Sequence, residues 1–169
     1  MKPTTARIPI FEVISGGQTG VDRAALDVAL ELGIRHAGWC PAGRLAEDGP
    51  IPPIYQLRET ESADYRVRTE KNVIDSDATL ILYRECLSGG TELTRRLAVR
   101  FNKPQMLIDL VQGCDLLKIA AWISDQHIAR LNVAGPRESG HPGISRQAGK
   151  FLKPRYFFAN KHSVPLVPD

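Results

Sequence analysis

Apolar runs of strand length alternate with helical spacings along most of the chain. Arg7 to Ile14 reads as a buried strand, with Pro9 near its start, where a missing N–H is tolerated. Val21, Ala24, Ala25, Val28, Ala29 and Leu32 then recur at helical spacing, and Gly33 ends that helix. Ile34 to Trp39 is a short second strand, weakened by Gly38. Ala63 to Ser76 is a polar helix by composition, followed by a strand over Ala78 to Tyr83. Leu93, Leu97 and Phe101 mark the next helix, and Pro104 to Leu110 the fourth strand. Leu116, Ile119, Ala120, Ile123 and His127 share a helical face, and Ala129 to Ala134 is the fifth strand. A last helix covers about Gly143 to Leu152, and Pro154 is expected to break or kink it. The alternation predicts an α/β fold, a mainly parallel sheet of about five strands with helices on both faces.

Cys40 to Ser62 breaks the pattern, with Gly43, Gly49 and the prolines Pro41, Pro50, Pro52 and Pro53. So long a connection in a small protein is functional or disordered. It carries Arg44, Glu47 and Asp48 close to the end of the second strand, and it is expected to fold as an ordered loop over a ligand crevice. The tail Tyr156-Phe157-Phe158 is aromatic enough to pack on the core or on another subunit.

The 169 residues are expected to form a single domain. No apolar stretch approaches bilayer-spanning length, and Met1 to Arg7 lacks the apolar core of a signal peptide, so a cytoplasmic protein is the expectation. A net charge of +3 without a basic stripe argues against nucleic acid as a partner. The densest basic cluster, Arg66 to Lys71, reads as a solvated helix face. Cys40, Cys86 and Cys114 are widely spaced and read as buried free thiols, and the four histidines also lack metal-ligand spacing. No protein-coordinated metal is expected.

Three glycine-rich loops supply the candidate chemistry, each at the carboxyl end of a strand and each opening a helix, where sheets of this kind bind ligands. Loop one, Ser15-Gly16-Gly17-Gln18-Thr19-Gly20, combines a flexible backbone with hydroxyls, and Asp22 follows in the first helical turn. It lacks the Gly-Lys-Ser/Thr of a P-loop and the spacing of a dinucleotide fingerprint. Loop two, Tyr83 to Glu92, holds the helix opening Ser88-Gly89-Gly90-Thr91, and Arg84 either pairs with an anion or lies on the surface. Glu92 is placed like a catalytic acid, or it complements the helix dipole. Loop three, Gly135-Pro136-Arg137-Glu138-Ser139-Gly140, puts a guanidinium beside exposed amides, as phosphate recognition requires. No catalytic triad or paired carboxylates can be argued from spacing, so the balance favours holding a ligand over transforming it.

In sequence, these blocks resemble the molybdenum cofactor carrier family. Ser15 to Leu26 resembles the family's opening motif, and Trp39 to Arg44 with Ala46 to Pro52 its second block. Ser88 to Thr91 and Asn132 to Ser139 resemble the remaining two, and the likeness spans about residues 8 to 155. The resemblance implies a Rossmann-like fold of the SLOG superfamily in a circularly permuted arrangement. It further implies a homo-oligomer, with a tetramer expected. The ligand would be the molybdenum cofactor (molybdopterin), a phosphorylated pterin whose dithiolene holds the metal, handed on to a molybdoenzyme acceptor. Relatives in that superfamily sense nucleotide-derived signals or, as lysine-decarboxylase-like phosphoribohydrolases, cleave nucleoside monophosphates. The hydrolases carry Pro-Gly-Gly-x-Gly-Thr-x-x-Glu, whereas this chain has Ser88-Gly89-Gly90-Thr91-Glu92. Gly16, Gly17, Gln18, Thr19, Gly20, Asp22, Arg44, Arg84, Ser88, Gly89, Gly90, Thr91, Gly135, Pro136, Arg137, Glu138 and Ser139 are the expected ligand-binding set, with no catalytic residue assigned.

Overall fold

The computed structural model describes Ile10 and residues 12–160, with side chains to residue 154. Its elements are β1 (Glu12–Ile14), α1 (Val21–Glu31), β2 (Arg35–Ala37), β3 (Trp39–Cys40), β4 (Leu45–Ala46), β5 (Gly49–Pro50) and β6 (Arg58–Glu59). They continue with α2 (Tyr65–Asp75), β7 (Ala78–Tyr83), α3 (Gly89–Arg100), β8 (Gln105–Asp109), α4 (Leu116–Asp125), β9 (Arg130–Ala134) and α5 (Ile144–Asn160). The side chains of the aromatic tail lie outside the described residues.

Five strands form one parallel sheet in the order β2-β1-β9-β7-β8, an α/β Rossmann-like arrangement. The steps β1 to β2 and β8 to β9 run one way across the sheet, and β7 to β8 runs the other. Right-handed crossovers therefore put α1 and α4 on one face and α3 on the opposite one. Packing agrees: residues of α1, α4 and α5, such as Ala25, Ile123 and Leu152, join Val13, Leu80, Leu82 and Val133 in the main core. Val73 of α2 packs separately with Leu97 and Ala98 of α3. β7 is buried over its first five residues, as a central parallel strand covered on both faces requires.

Three expectations are corrected. The second strand ends at Ala37, because the backbone turns at Gly38 (φ 143°) and Trp39–Cys40 leave the sheet to pair in parallel with β6. The last helix runs on through Pro154, which removes a single amide from the ladder. Of the cysteines, only Cys40 is buried; Cys86 is exposed on loop two and Cys114 is half-buried.

The 40–62 segment is ordered, and its own residues explain why. Leu26 of α1 packs with Cys40, Ile51 and Tyr55 in a satellite apolar cluster. β4 and β5 form a short antiparallel hairpin. Arg44 donates from its guanidinium to the carbonyls of Ile51, Pro52, Tyr55 and Leu57 at 2.9–3.3 Å, so one side chain gathers the whole turn. Among the described residues no helix is long and apolar enough to cross a membrane.

Candidate ligand-binding crevice

Strand order brings the three loops together. Loop one leaves β1, loop three leaves β9 and loop two leaves β7, and these are three neighbouring strands. Their carboxyl ends flank the point where the connections reverse direction, where open α/β sheets bind ligands. The loops line a crevice of about 260 Å³ with Gln18, Gly89, Gly90, Gly135, Pro136 and Arg137 on its walls. A second chamber of about 220 Å³, under the β4–β5 hairpin, shares Gln18, Tyr65, Arg68 and Arg137 with it. Together they reach the roughly 300–1,000 Å³ typical of small-molecule sites.

The floor of the crevice is an ion pair. Asp22, 3% exposed, sits in the first turn of α1. Arg68 of α2 reaches it at 3.0 Å with its own side chain only 14% exposed. Burial pushes the Asp22 carboxyl up, against the Arg68 guanidinium and the amides of Gln18 and Gly135, which all favour its charged form. That carboxylate thus ties loop one, loop three and α2 together. The Arg68 guanidinium packs against Gly16: a Cβ there would come 1.8 Å from Nη1, so glycine leaves it room. Its Nε is buried without a hydrogen-bond partner, and its side chain lines the crevice. The expectation of a solvated Arg66–Lys71 face is corrected at this residue. Tyr65, Arg68, Thr69 and Asn72 fall at helical spacing on one side of α2, and that 3-4-7 pattern was the signal available in the sequence.

Loop two presents backbone. Ser88 precedes α3 without a side-chain cap, and the amides of Gly89 and Gly90 have no partner among the described residues. Two free donors at a helix N-terminus face the crevice. Arg137 is 61% exposed at the rim, and its ion pair with Glu47 is long at 4.0 Å. With Asp22 paired to Arg68, Arg137 is the remaining arginine of the crevice lining, and its own counter-charge is the distant Glu47 carboxylate of the adjoining chamber.

Other expected residues serve the frame. Glu138 accepts from the amides of Gly143 and Ser145 and so caps α5. Arg84 donates to Gln147 Oε1 at 2.6 Å and to the Pro142 carbonyl at 3.0 Å, pinning the start of α5 to the end of β7. Arg44 stays within its own turn, as described above. Gln18 accepts from the amides of Thr19 and Glu47 through one oxygen. Thr19 accepts from the Glu138 amide at 3.2 Å, so loops one and three touch directly.

Glu92 is bound by Arg95 and Arg96 at 2.8–2.9 Å. Hydrogen bonds from those two guanidiniums pull its carboxyl down to about 2. It is therefore ionised near neutrality and is not a proton donor to a bound ligand. Among the described residues, no group of His, Cys, Asp and Glu has the arrangement of a metal site.

Comparison with known proteins adds to this geometry. The family model for the circularly permutated YpsA SLOG family matches residues 13–156. A crystal structure of a "Putative molybdenum carrier protein" from Syntrophus aciditrophicus SB is 45% identical, with a TM-score of 0.84. The match covers 87% of this chain and 95% of that one. No curated protein matches.

Proposed function

The chain belongs to the circularly permutated YpsA SLOG family, and on that premise we propose that it is a carrier for the molybdenum cofactor or a related phosphorylated pterin. The observation that carries this reading is the meeting of all three glycine-rich loops in one crevice with free amides and a rim guanidinium. Such donors suit the phosphate and metal-oxide oxygens of that cargo. The 45% identical "Putative molybdenum carrier protein" supports a molybdenum-related cargo. The metal would travel in the pterin dithiolene, so the protein need supply no ligand to it. On this reading the chain works in the cytoplasm as a homo-oligomer and passes its cargo to a molybdoenzyme. Hydrolysis of a nucleoside monophosphate is disfavoured, because Glu92 is locked between two arginines.

Protein purified from molybdenum-replete cells is expected to release a fluorescent pterin on oxidation, with molybdenum in proportion. Nucleotide in place of pterin, identified by mass spectrometry, would replace this reading with that of a nucleotide sensor. Arg137→Ala is expected to weaken binding of the extracted cofactor about tenfold, the loss of one charge-assisted contact. Its stability should stay within about 0.5 kcal/mol of the parent, since the side chain is exposed and weakly paired. Calorimetric titration beside urea unfolding separates the two effects.

A further inference from the structure

The donors of loops one and three converge on a carboxylate that belongs to neither loop. Glu47 sits at the tip of the β4–β5 hairpin, between Ala46 and Gly49. Its Oε1 accepts from the Thr19 hydroxyl and, at 3.1 Å, from the Ser139 amide. Its Oε2 accepts from the Ser139 hydroxyl at 2.5 Å and lies 4.0 Å from Arg137 Nε. Two hydroxyls, one amide and a guanidinium thus surround one anion, drawn from two loops well separated in sequence. The side chain is 19% exposed. Burial pushes its carboxyl up, but the bonds from Ser139 and Thr19 outweigh that and hold it below its ordinary value. Glu47 therefore sits there as an anion near neutral pH.

We propose that Thr19, Ser139 and Arg137 form a subsite for a tetrahedral oxyanion, phosphate or molybdate in class, and that Glu47 is its built-in occupant. This deepens the carrier reading above and rests on it. An incoming oxyanion takes over the same donors, which are matched to negative oxygen and not to a carboxylate as such. An open chamber of about 600 Å³ adjoins Thr19, Ser139 and Glu47; its other carboxylates, Asp48 and Glu138, are taken up by Arg23 and by the amides of α5, and Arg137 reaches the subsite from the neighbouring crevice. Displacement frees only the tip of the hairpin. Asp48 is held by Arg23 at 2.9 and 3.1 Å. Arg44 keeps the rest of the segment in place. Capture of cargo is thereby coupled to movement of the hairpin, and return of Glu47 assists release. The apparent affinity of the subsite is the intrinsic affinity reduced by the fraction of time that Glu47 leaves it open.

The test is titration of the full chain with inorganic phosphate and, separately, with molybdate. Glu47→Ala is expected to bind the preferred oxyanion at least about tenfold more tightly than the parent. Glu47→Gln, which keeps an accepting oxygen without the charge, should fall between the two. Adding Ser139→Ala to Glu47→Ala should abolish the gain. In the unmodified protein, a saturating oxyanion should speed amide hydrogen exchange over residues 45–50, a readout that needs no variant to fold. Equal or weaker binding by Glu47→Ala, or unchanged exchange at saturation, would overturn the built-in occupant. Binding of neither oxyanion by Glu47→Ala would overturn the subsite itself. The carrier reading stands or falls separately, on the pterin and molybdenum carried by the purified protein.

Discussion

Arg68→Ala is expected to destabilise the protein by about 3 kcal/mol at pH 7.5, the cost of leaving one partner of a buried ion pair behind. The reason lies in Asp22. Its side chain is 4% exposed, and its neighbours besides Arg68 are two amides. Burial already pushes its carboxyl up with the guanidinium in place, so removal of the guanidinium pushes it further. The sign of the pH dependence follows. An aspartate whose folded value lies above its unfolded one weakens the fold at high pH, where it must stay charged inside. That penalty shrinks as pH falls below the folded value and is gone below the unfolded one, because the folded state takes up the proton first. The deficit of Arg68→Ala relative to the parent should therefore be smaller at pH 5 than at pH 7.5. The paired change Asp22→Asn with Arg68→Met removes both charges and should recover most of the loss. Urea unfolding of the single and paired variants at the two pH values measures all of this. A deficit that grows on acidification would show that the pair is not what holds α2 against loop one.

The same residue marks how far the sequence could be read. The alternation of apolar strands and helices was legible because strands buried on both faces need continuous apolar runs, and β7 matches its expected span of Ala78 to Tyr83. The loops were legible because glycine-rich turns after strands leave a local mark. Their meeting in one crevice is expected from their shared place at strand carboxyl ends, but the strand order that produces it was not legible. That order depends on β9 inserting between β1 and β7, and pairing partners far apart in the chain leave no local trace. Arg66, Arg68 and Lys71 are alike in kind, yet the helix turns only one of them against Asp22. Arg44 is the opposite case. Its partners are backbone carbonyls, which every residue carries, so nothing in the side-chain pattern distinguishes a turn-gathering arginine from one that awaits a ligand. Glu47 and Asp48 were legible as residues near the crevice. That they clasp Thr19, Ser139 and Arg23 needed the hairpin geometry.

The glycines of loop one admit different neighbours: Gly16 the Arg68 guanidinium, Gly17 the side chains of Ile51 and Leu57, and Gly20 the backbone of loop three. Gly20→Ala is expected to be strongly damaging. The Gly20 backbone lies at φ 81°, ψ −131°, a conformation that side chains disfavour. A Cβ there would meet Pro136 O at 2.2 Å, and the Arg137 carbonyl carbon and Glu138 N at 2.8 Å. All three are backbone atoms of loop three, so no rotamer change relieves the clash. Loop three is in turn fixed to loop one, through the Val21 amide on Pro136 O at 3.1 Å and the Glu138 amide on Thr19 at 3.2 Å. Moving it breaks those bonds and carries Arg137 and Ser139 away from the crevice. Backbone strain of about 1–3 kcal/mol and overpacking of about 1–3 kcal/mol together set an expected loss of roughly 3–4 kcal/mol. Gly33→Ala is the control. Gly33 also has a positive φ, 67°, but a Cβ there meets nothing within 4 Å, so its cost should be the conformational part alone, about 1–2 kcal/mol. Urea midpoints for the two variants, with cofactor titration of whatever remains folded, compare the effects directly. If Gly20→Ala is no worse than Gly33→Ala, loop three yields without cost, and the close approach of the two loops is not what shapes the crevice.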